Sequence, residues 1–461
     1  MHIKRQNMDM LHGPLPGKIL LFTLPIALSS MLQQLFNAAD TAVVGLFGDA
    51  NALAAVGTNT EIVALIVSIS TGLAVGANLL VANRIGRNET DKIPEIIQTA
   101  ILLALIISIA GCVLGQLVCR PLLILMQTPA AILNEAVLYL RIYLIGYPFL
   151  LLYDFASAIL RAQGNSRYPF IALTLSGIAN VGLNLLFVAM FRMGVSGVAA
   201  ATAISTALSA VLVLGHLTRD MKPRVRHLHF LRTAAGEILK TGIPAAVQGA
   251  VFCFANIFVQ ASVNTFGETA IAGSTIAMNF EYFTYYIITA FGQTATTFTG
   301  QNYAAEQQKR CRQILWVSLG LATVCSAIPI FSIVFFRSFF SGLFTSDAAV
   351  IESASVRILC ILLFEPLCNF YEIPAGCLRG RGHSFYPAAA TMVGTCALRV
   401  LWIFTIFQKS PALSMLYHAF PLSWVVTILL VNAGFFFMRT IRPSKCSHSS
   451  NCNPPLSANI K

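Results

Sequence analysis

Six ionisable side chains stand inside stretches that are otherwise apolar: Asp40, Asp154, Glu281, Glu365, Glu372 and Arg399. A charge placed in hydrocarbon costs about 3 kcal/mol or more, so each of these needs a partner or a wet cavity. Carboxylates so placed can hold a cation or exchange a proton, but alone they make no active site. The apolar stretches carry no Ser/His/Asp cluster, no HExxH and no phosphate-binding glycine loop. That argues against an enzyme and against ATP as an energy source. The eleven cysteines are scattered, with no CxxC pair and no histidine at ligand spacing. In apolar segments cysteine packs as a small hydrophobe, so neither a disulfide framework nor a metal site is indicated.

The surroundings narrow the chemistry. Glu281 sits in MNFEYFTYYII, beside Phe280, Tyr282, Phe283, Tyr285 and Tyr286. A carboxylate among aromatic faces suits a flat organic cation, because neutralisation adds to a cation–π attraction of about 0.5–2 kcal/mol. Glu281 and Tyr285 are candidate substrate ligands; the alternative is a glutamate paired with a neighbouring helix. Glu365 and Glu372 are seven residues apart and would share a helical face, with Pro366 and Pro374 interrupting the helix. Arg399 keeps its charge when buried and is expected to pair with Glu365 or Glu372, most simply as a structural ion pair with Glu365.

Composition dictates the elements that carry these residues. Of 461 residues, 56% are hydrophobic and only 10% charged, with a mean hydropathy of +0.74. Soluble domains carry about 25% charged residues, so the chain is an all-α membrane protein. About 20 apolar residues cross the hydrocarbon core, and twelve such segments are read, at 18–46, 53–82, 93–118, 138–160, 168–190, 195–217, 238–262, 270–298, 312–336, 356–378, 386–407 and 413–438. Their connections form two alternating sets. The set holding both termini contains 23 of the 30 Lys and Arg; the opposite set contains 6, and Arg399 falls in a span. Excess cations mark the cytoplasmic side, so both termini are expected in the cytoplasm, the protein lying in the plasma membrane. The net charge of +12 then faces anionic lipid, not nucleic acid. The longest connection, about 218–237, is too short for a domain, and the Ser/Asn/Pro-rich tail reads as disordered.

The chain is also written twice. Shifted by 219 positions, Pro25 meets Pro244, Asn37 meets Asn256, Phe47 and Gly48 meet Phe266 and Gly267, and Asn83 meets Asn302. Shifted by 218, Pro148 meets Pro366, Tyr153 meets Tyr371, Asp154 meets Glu372, and LRAQGNSRYP (160–169) meets LRGRGHSFYP (378–387). The expected units are 1–220 and 221–443, six spans each, followed by the tail 444–461. An even number of spans makes the repeats parallel, related by a pseudo-two-fold axis along the membrane normal. Such symmetry suits a binding site between two lobes that rock against each other. Asp154 and Glu372, as repeat mates, join the candidate substrate ligands. Gly72-xxx-Gly76 and Gly111-xxx-Gly115 read as close helix contacts.

The first span, LPIALSSMLQQLFNAADTAVVGLFG, running on into ALAAVG, together with the LRAQGN/LRGRGH pair, resembles the multidrug and toxic compound extrusion (MATE) family over nearly the whole chain. The likeness is to bacterial members of the NorM/MepA type. It implies a V-shaped pair of six-helix lobes exporting organic cations in exchange for Na⁺ or H⁺, with no other cofactor and a monomer as the working unit. Asp40 matches the family's first-helix aspartate, which is associated with ion coupling. The family's fifth helix often carries Asn-x-x-x-Asp opposite that aspartate; here the pair is Asn180 and Asn184, and Asn184 cannot release a proton. The acid that family members often carry in helix 7 corresponds to Phe252, and the helix 10 acid is displaced. A lipid-linked precursor flippase of the same superfamily is the alternative function.

Overall fold

Hydrocarbon offers no hydrogen-bond partner, so each crossing segment must satisfy its own backbone, which an α-helix does locally. The structure, a computed structural model, describes residues 7–47, 50–126, 128–219 and 230–440. Half of the connection expected at 218–237, residues 220–229, lies outside the described residues, and the tail lies wholly outside them. The first six-helix lobe runs α1 (Leu15–Phe47), α2 (Ala50–Gly86), α3 (Ile93–Leu125), α4 (Ala130–Ala162), α5 (Arg167–Asn184) and α6 (Gly194–Arg219). In the second, α7 (Arg232–Asn264), α8 (Glu268–Ala304) and α9 (Gln308–Phe335) are continuous. The last three are broken: α10 (Ala348–Cys360 and Asn369–Gly380), α11 (Phe385–Thr391 and Leu398–Phe404) and α12 (Leu413–Tyr417 and Ala419–Thr440).

Ten of these helical stretches are long and apolar enough to cross a membrane. The two exceptions are informative. Helix α8 has the length, 37 residues, but is rich in Thr, Gln and Asn. Helix α10 is interrupted by a tight 3₁₀ stretch, Leu362–Cys368, that contains Pro366; proline has no N–H to donate and disrupts the preceding turn. Glu365 lies in that tighter stretch and Glu372 in the α-helical segment after it, and both acids border α8. The outer surface is covered with apolar side chains, among them Leu117, Phe335 and Phe436, each more than 70% exposed, as lipid contact requires.

Alternating traverses define two faces. The near face holds the start of α1, the ends of α2, α4, α8 and α10, and the start of α7; the far face holds the opposite ends. The lobes meet chiefly through the near halves of α1, α2, α7 and α8. A Cβ on Gly72 would strike the Ala246 backbone, and one on Gly76 the carbonyl of Ile238. Small residues let two helices approach to backbone distance, and here they join lobe to lobe, whereas Gly111 and Gly115 receive only the side chains of Tyr147 and Leu144 within the first lobe. Polar contacts follow the same seam. Thr297 donates to Asn78 Oδ1 at 3.0 Å, and Gln301 donates to the Ala162 carbonyl at 2.7 Å. Asn78 and Thr297 are separated by the repeat shift of 219, so the pseudo-two-fold axis passes close to this bond. The segment before α1 ties the seam from outside: Met8 N–H donates to the Gly164 carbonyl, while Asn302 and Arg310 donate to the Met10 carbonyl.

Bulk at Gly76 should open this seam, overpacking costing about 1–3 kcal/mol. In a protein carrying Asn78→Cys and Thr297→Cys, a further Gly76→Val substitution is expected to reduce disulfide cross-linking severalfold; undiminished cross-linking would show that the backbone contact does not hold the lobes together.

Candidate functional site

Three polar centres emerge, and the sequence candidates divide among them. The first lies on the far side of the first lobe. Asp40 is 7% exposed, although it stands in the last third of α1, because α1 continues to Phe47 and tucks against α5 and α6. Close approach to α5 is possible since Gly177 leaves room for the Phe36 ring. Asn184 donates to Asp40 Oδ1 at 2.5 Å, and Thr202 donates to Oδ2 at 3.1 Å. Asn184 also donates to Asn180 Oδ1 at 3.2 Å. The four-residue spacing puts both asparagines on one face, and the structure brings them together with Asp40. Thr202 was not legible as a partner: it is one hydroxyl among many small residues of α6. No cation lies within 4 Å of Asp40 among the described residues.

The second centre is in the far half of the second lobe and corrects two expectations. Glu281 is not among the residues lining the cavity between the lobes. Arg357 holds it in a two-pronged ion pair, Nε to Oε1 at 2.7 Å and Nη2 to Oε2 at 2.8 Å. Nη1 of the same guanidinium donates to Ser274 at 2.7 Å, and its carbon lies 5.2 Å from the Tyr417 ring centre. Bidentate arginine–carboxylate geometry adds orientation to energy, so the pair braces α8 against α10. Arg357 stands at the very start of the segment read at 356–378, where the cation count assigns it to the adjoining connection. Nor does Arg399 pair with Glu365. Arg399 is 1% exposed, donates to Ser423 at 3.1 Å and lies over the Phe420 ring at 3.9 Å, with Phe252 and Trp424 near 6 Å. Aromatic faces take the place of a counter-ion. Glu365 accepts instead from Thr284 of α8.

The third centre is a cavity of about 340 Å³ between the lobes, in their near halves. Its walls come from α1, α2, α4 and α5 on one side and α7, α8, α10 and α11 on the other. Asp154, Tyr285 and Glu372 line it, as do two arginines that the sequence reading had counted as loop charges, Arg161 and Arg379. Both are in the last turn of their helices and send the guanidinium back toward the membrane interior. Arg379 donates to Glu372 Oε1 at 2.7 Å. Arg161 does not reach Asp154; its Nη1 donates to Gln293 of α8, across the lobe boundary, at 2.7 Å. The signal for both was present: each arginine follows its acid by seven residues in both repeats. Glu61 is a further carboxylate in a spanning helix, α2, and is exposed. Among the described residues no group of three or more His, Cys, Asp or Glu could hold a metal ion.

Two parallel six-helix lobes with a charged cavity between them define a membrane transporter. A family model described as MatE matches residues 25–186 and again, 219 positions later, 244–405; the chain belongs to that family. Among curated relatives, the probable multidrug resistance protein YoeA of Bacillus subtilis is 24% identical over 431 residues, 91% of this chain and 93% of the relative. The FAD transporter of Shewanella oneidensis is 25% identical over 391 residues, covering 80% and 85%. A solved structure described as an outward-facing conformation of a multidrug resistance MATE family transporter superposes with a TM-score of 0.84 at 20% identity, over 94% of this chain and 98% of that one.

The Glu281–Arg357 pair makes a sharp stability test. Removing one member strands a buried charge, at a cost of about 3–5 kcal/mol. Arg357→Gln and Glu281→Gln are each expected to lower the thermal unfolding temperature of detergent-purified protein well below that of the double substitution; additive losses in the double variant would refute the coupling.

Proposed function

We propose that this chain exports small organic cations from the cytoplasm in exchange for Na⁺ or H⁺, by alternating access of its two lobes. The observation that carries the reading is a cavity between parallel repeats, bridged from lobe to lobe on the face rich in Lys and Arg, with a carboxylate, Asp154, that has no ion-pair partner within 4 Å among the described residues. The cation bias makes that face cytoplasmic, so the conformation is read as facing outward. A volume of about 340 Å³ falls in the range of drug-sized ligand sites, which favours a small cargo over a lipid-linked precursor.

Asp40 is the coupling group in this reading. It lies seven residues beyond the cavity-lining Gln33 on α1, about 10 Å farther toward the far face at 1.5 Å per residue. Coupling ion and cargo therefore occupy separate places joined by one helix. Bare, Asp40 accepts from Asn184 and Thr202 and draws α1 against α5 and α6. A proton or Na⁺ on that carboxylate competes with these donors. The same helix lines the cavity through Ser29, Ser30 and Gln33, and Gln34 accepts from Tyr286 of the other lobe at 3.3 Å. Either event can shift the lobe equilibrium only by its difference in affinity between the two packings. Pro25, inside α1, supplies a bend point below these contacts.

Everted vesicles containing the protein are expected to accumulate a cationic dye under an imposed Na⁺ or proton gradient. Asp40→Asn should abolish that uptake while its thermal unfolding temperature stays near that of the parent. Uptake by the variant at the parental rate would remove Asp40 from coupling, and no uptake under either gradient would overturn the antiport.

A further inference from the structure

The cavity's charges come as two copies of one device, and the copies differ. In each repeat an acid is followed seven residues later by an arginine: Asp154 and Arg161 on α4, Glu372 and Arg379 on α10. Two turns of helix put both on one face, and side chains lean toward the helix N-terminus, so each arginine reaches back toward its acid. In the second lobe the pair is closed, at 2.7 Å. In the first lobe it is open. Arg161 leans back far enough for Nε to donate to the Ser157 carbonyl at 3.3 Å, but Nη1 is drawn across to Gln293. Asp154, 6% exposed, is left with a buried Oδ2 that has no hydrogen-bond partner among the described residues.

The repeat explains the asymmetry. Gln293 corresponds, at the shift of 219, to Ala74, which lines the same cavity with only a methyl group. Nothing at that position competes for Arg379, whose Nε is itself buried and unpartnered. With Glu372 paired directly with Arg379, the cavity charges left without a direct ion pair are one carboxylate and one guanidinium. The Ser157 bond places the guanidinium about one helical turn from Asp154 along the axis, roughly 5 Å. A cargo bearing only positive charge meets Asp154 but is repelled by Arg161; a cargo bearing both signs satisfies both.

We infer that the open Asp154/Arg161 pair selects an amphoteric cargo, with its cationic group on Asp154 and a carboxylate or similar anionic group on Arg161. This rests on the organic-cation reading above and narrows it: Arg161 is the specificity-determining residue, and Gln293 holds the pair open from the opposite lobe.

Rhodamine 110, which carries a cationic xanthene and a carboxylate, and its methyl ester rhodamine 123, which carries only the cation, separate the possibilities. Fluorescence polarisation with the full chain purified in detergent is expected to give about tenfold tighter binding of rhodamine 110. Arg161→Gln should weaken rhodamine 110 and tighten rhodamine 123, because a repelling charge has gone; a damaged fold would weaken both. Arg161→Lys should restore part of the preference. Gln293→Ala, which copies Ala74, should let Arg161 close on Asp154 and weaken rhodamine 110. The inference is overturned if rhodamine 123 binds as tightly as rhodamine 110, or if rhodamine 110 is indifferent to both Arg161→Gln and Gln293→Ala. Preference for the ester would leave the organic-cation reading standing, whereas binding of neither dye would overturn the two together.

Discussion

A charge removed from water must be matched by another charge, by hydrogen bonds, by aromatic faces or by a pocket that water can enter. This constraint sorts the interior of the protein. Glu281 is matched by Arg357, Arg399 by Ser423 and Phe420, Glu365 by Thr284, and Glu372 by Arg379. Asp40, like Glu365, is matched by neutral donors alone, and one oxygen of Asp154 by no hydrogen-bond partner among the described residues. Fully matched groups pin helices; incompletely matched ones stay available to an ion or a ligand.

The two lobes share a backbone plan and diverge in this matching. Repeat positions meet each other in the Asn78–Thr297 bond at the axis. The repeat symmetry is lost away from the axis. Asp40 corresponds to Val259 and Glu281 to Ile62 at the shift of 219. The first lobe's far half therefore holds a carboxylate answered only by dipoles, while the second lobe's far half holds an aromatic-lined ion-pair network. Two copies of one bundle have become an adjustable half and a braced half, and a cavity between unlike halves can present different charges from its two walls.

The near-face seam has its own logic. Lipid tails are as apolar as leucine side chains, so helices in a bilayer gain little from hiding apolar surface from one another. Close backbone approach at Gly72 and Gly76, reinforced by hydrogen bonds between lobes, does that work instead. Such contacts can be exchanged for others of similar strength when the lobes move, which a large greasy interface in water would resist.

Much of this was legible in the sequence. Hydropathy dictates membrane helices, the ordered matches at 219 and 218 dictate two parallel lobes, and the four-residue spacing of Asn180 and Asn184 puts both on one face, because each signal is periodic along the chain. Which charges find each other is not periodic. Arg161, Arg357 and Arg379 look like loop cations until folding carries their flexible stems back into the bundle. Glu281 looks like a cation site until Arg357, 76 residues later, arrives beside it. The 3₁₀ break at Leu362–Cys368 separates Glu365 from the α-helical segment that carries Glu372, although the proline that accompanies it is in plain view. Side-chain partnership depends on distances between helices, and only the packed bundle sets those.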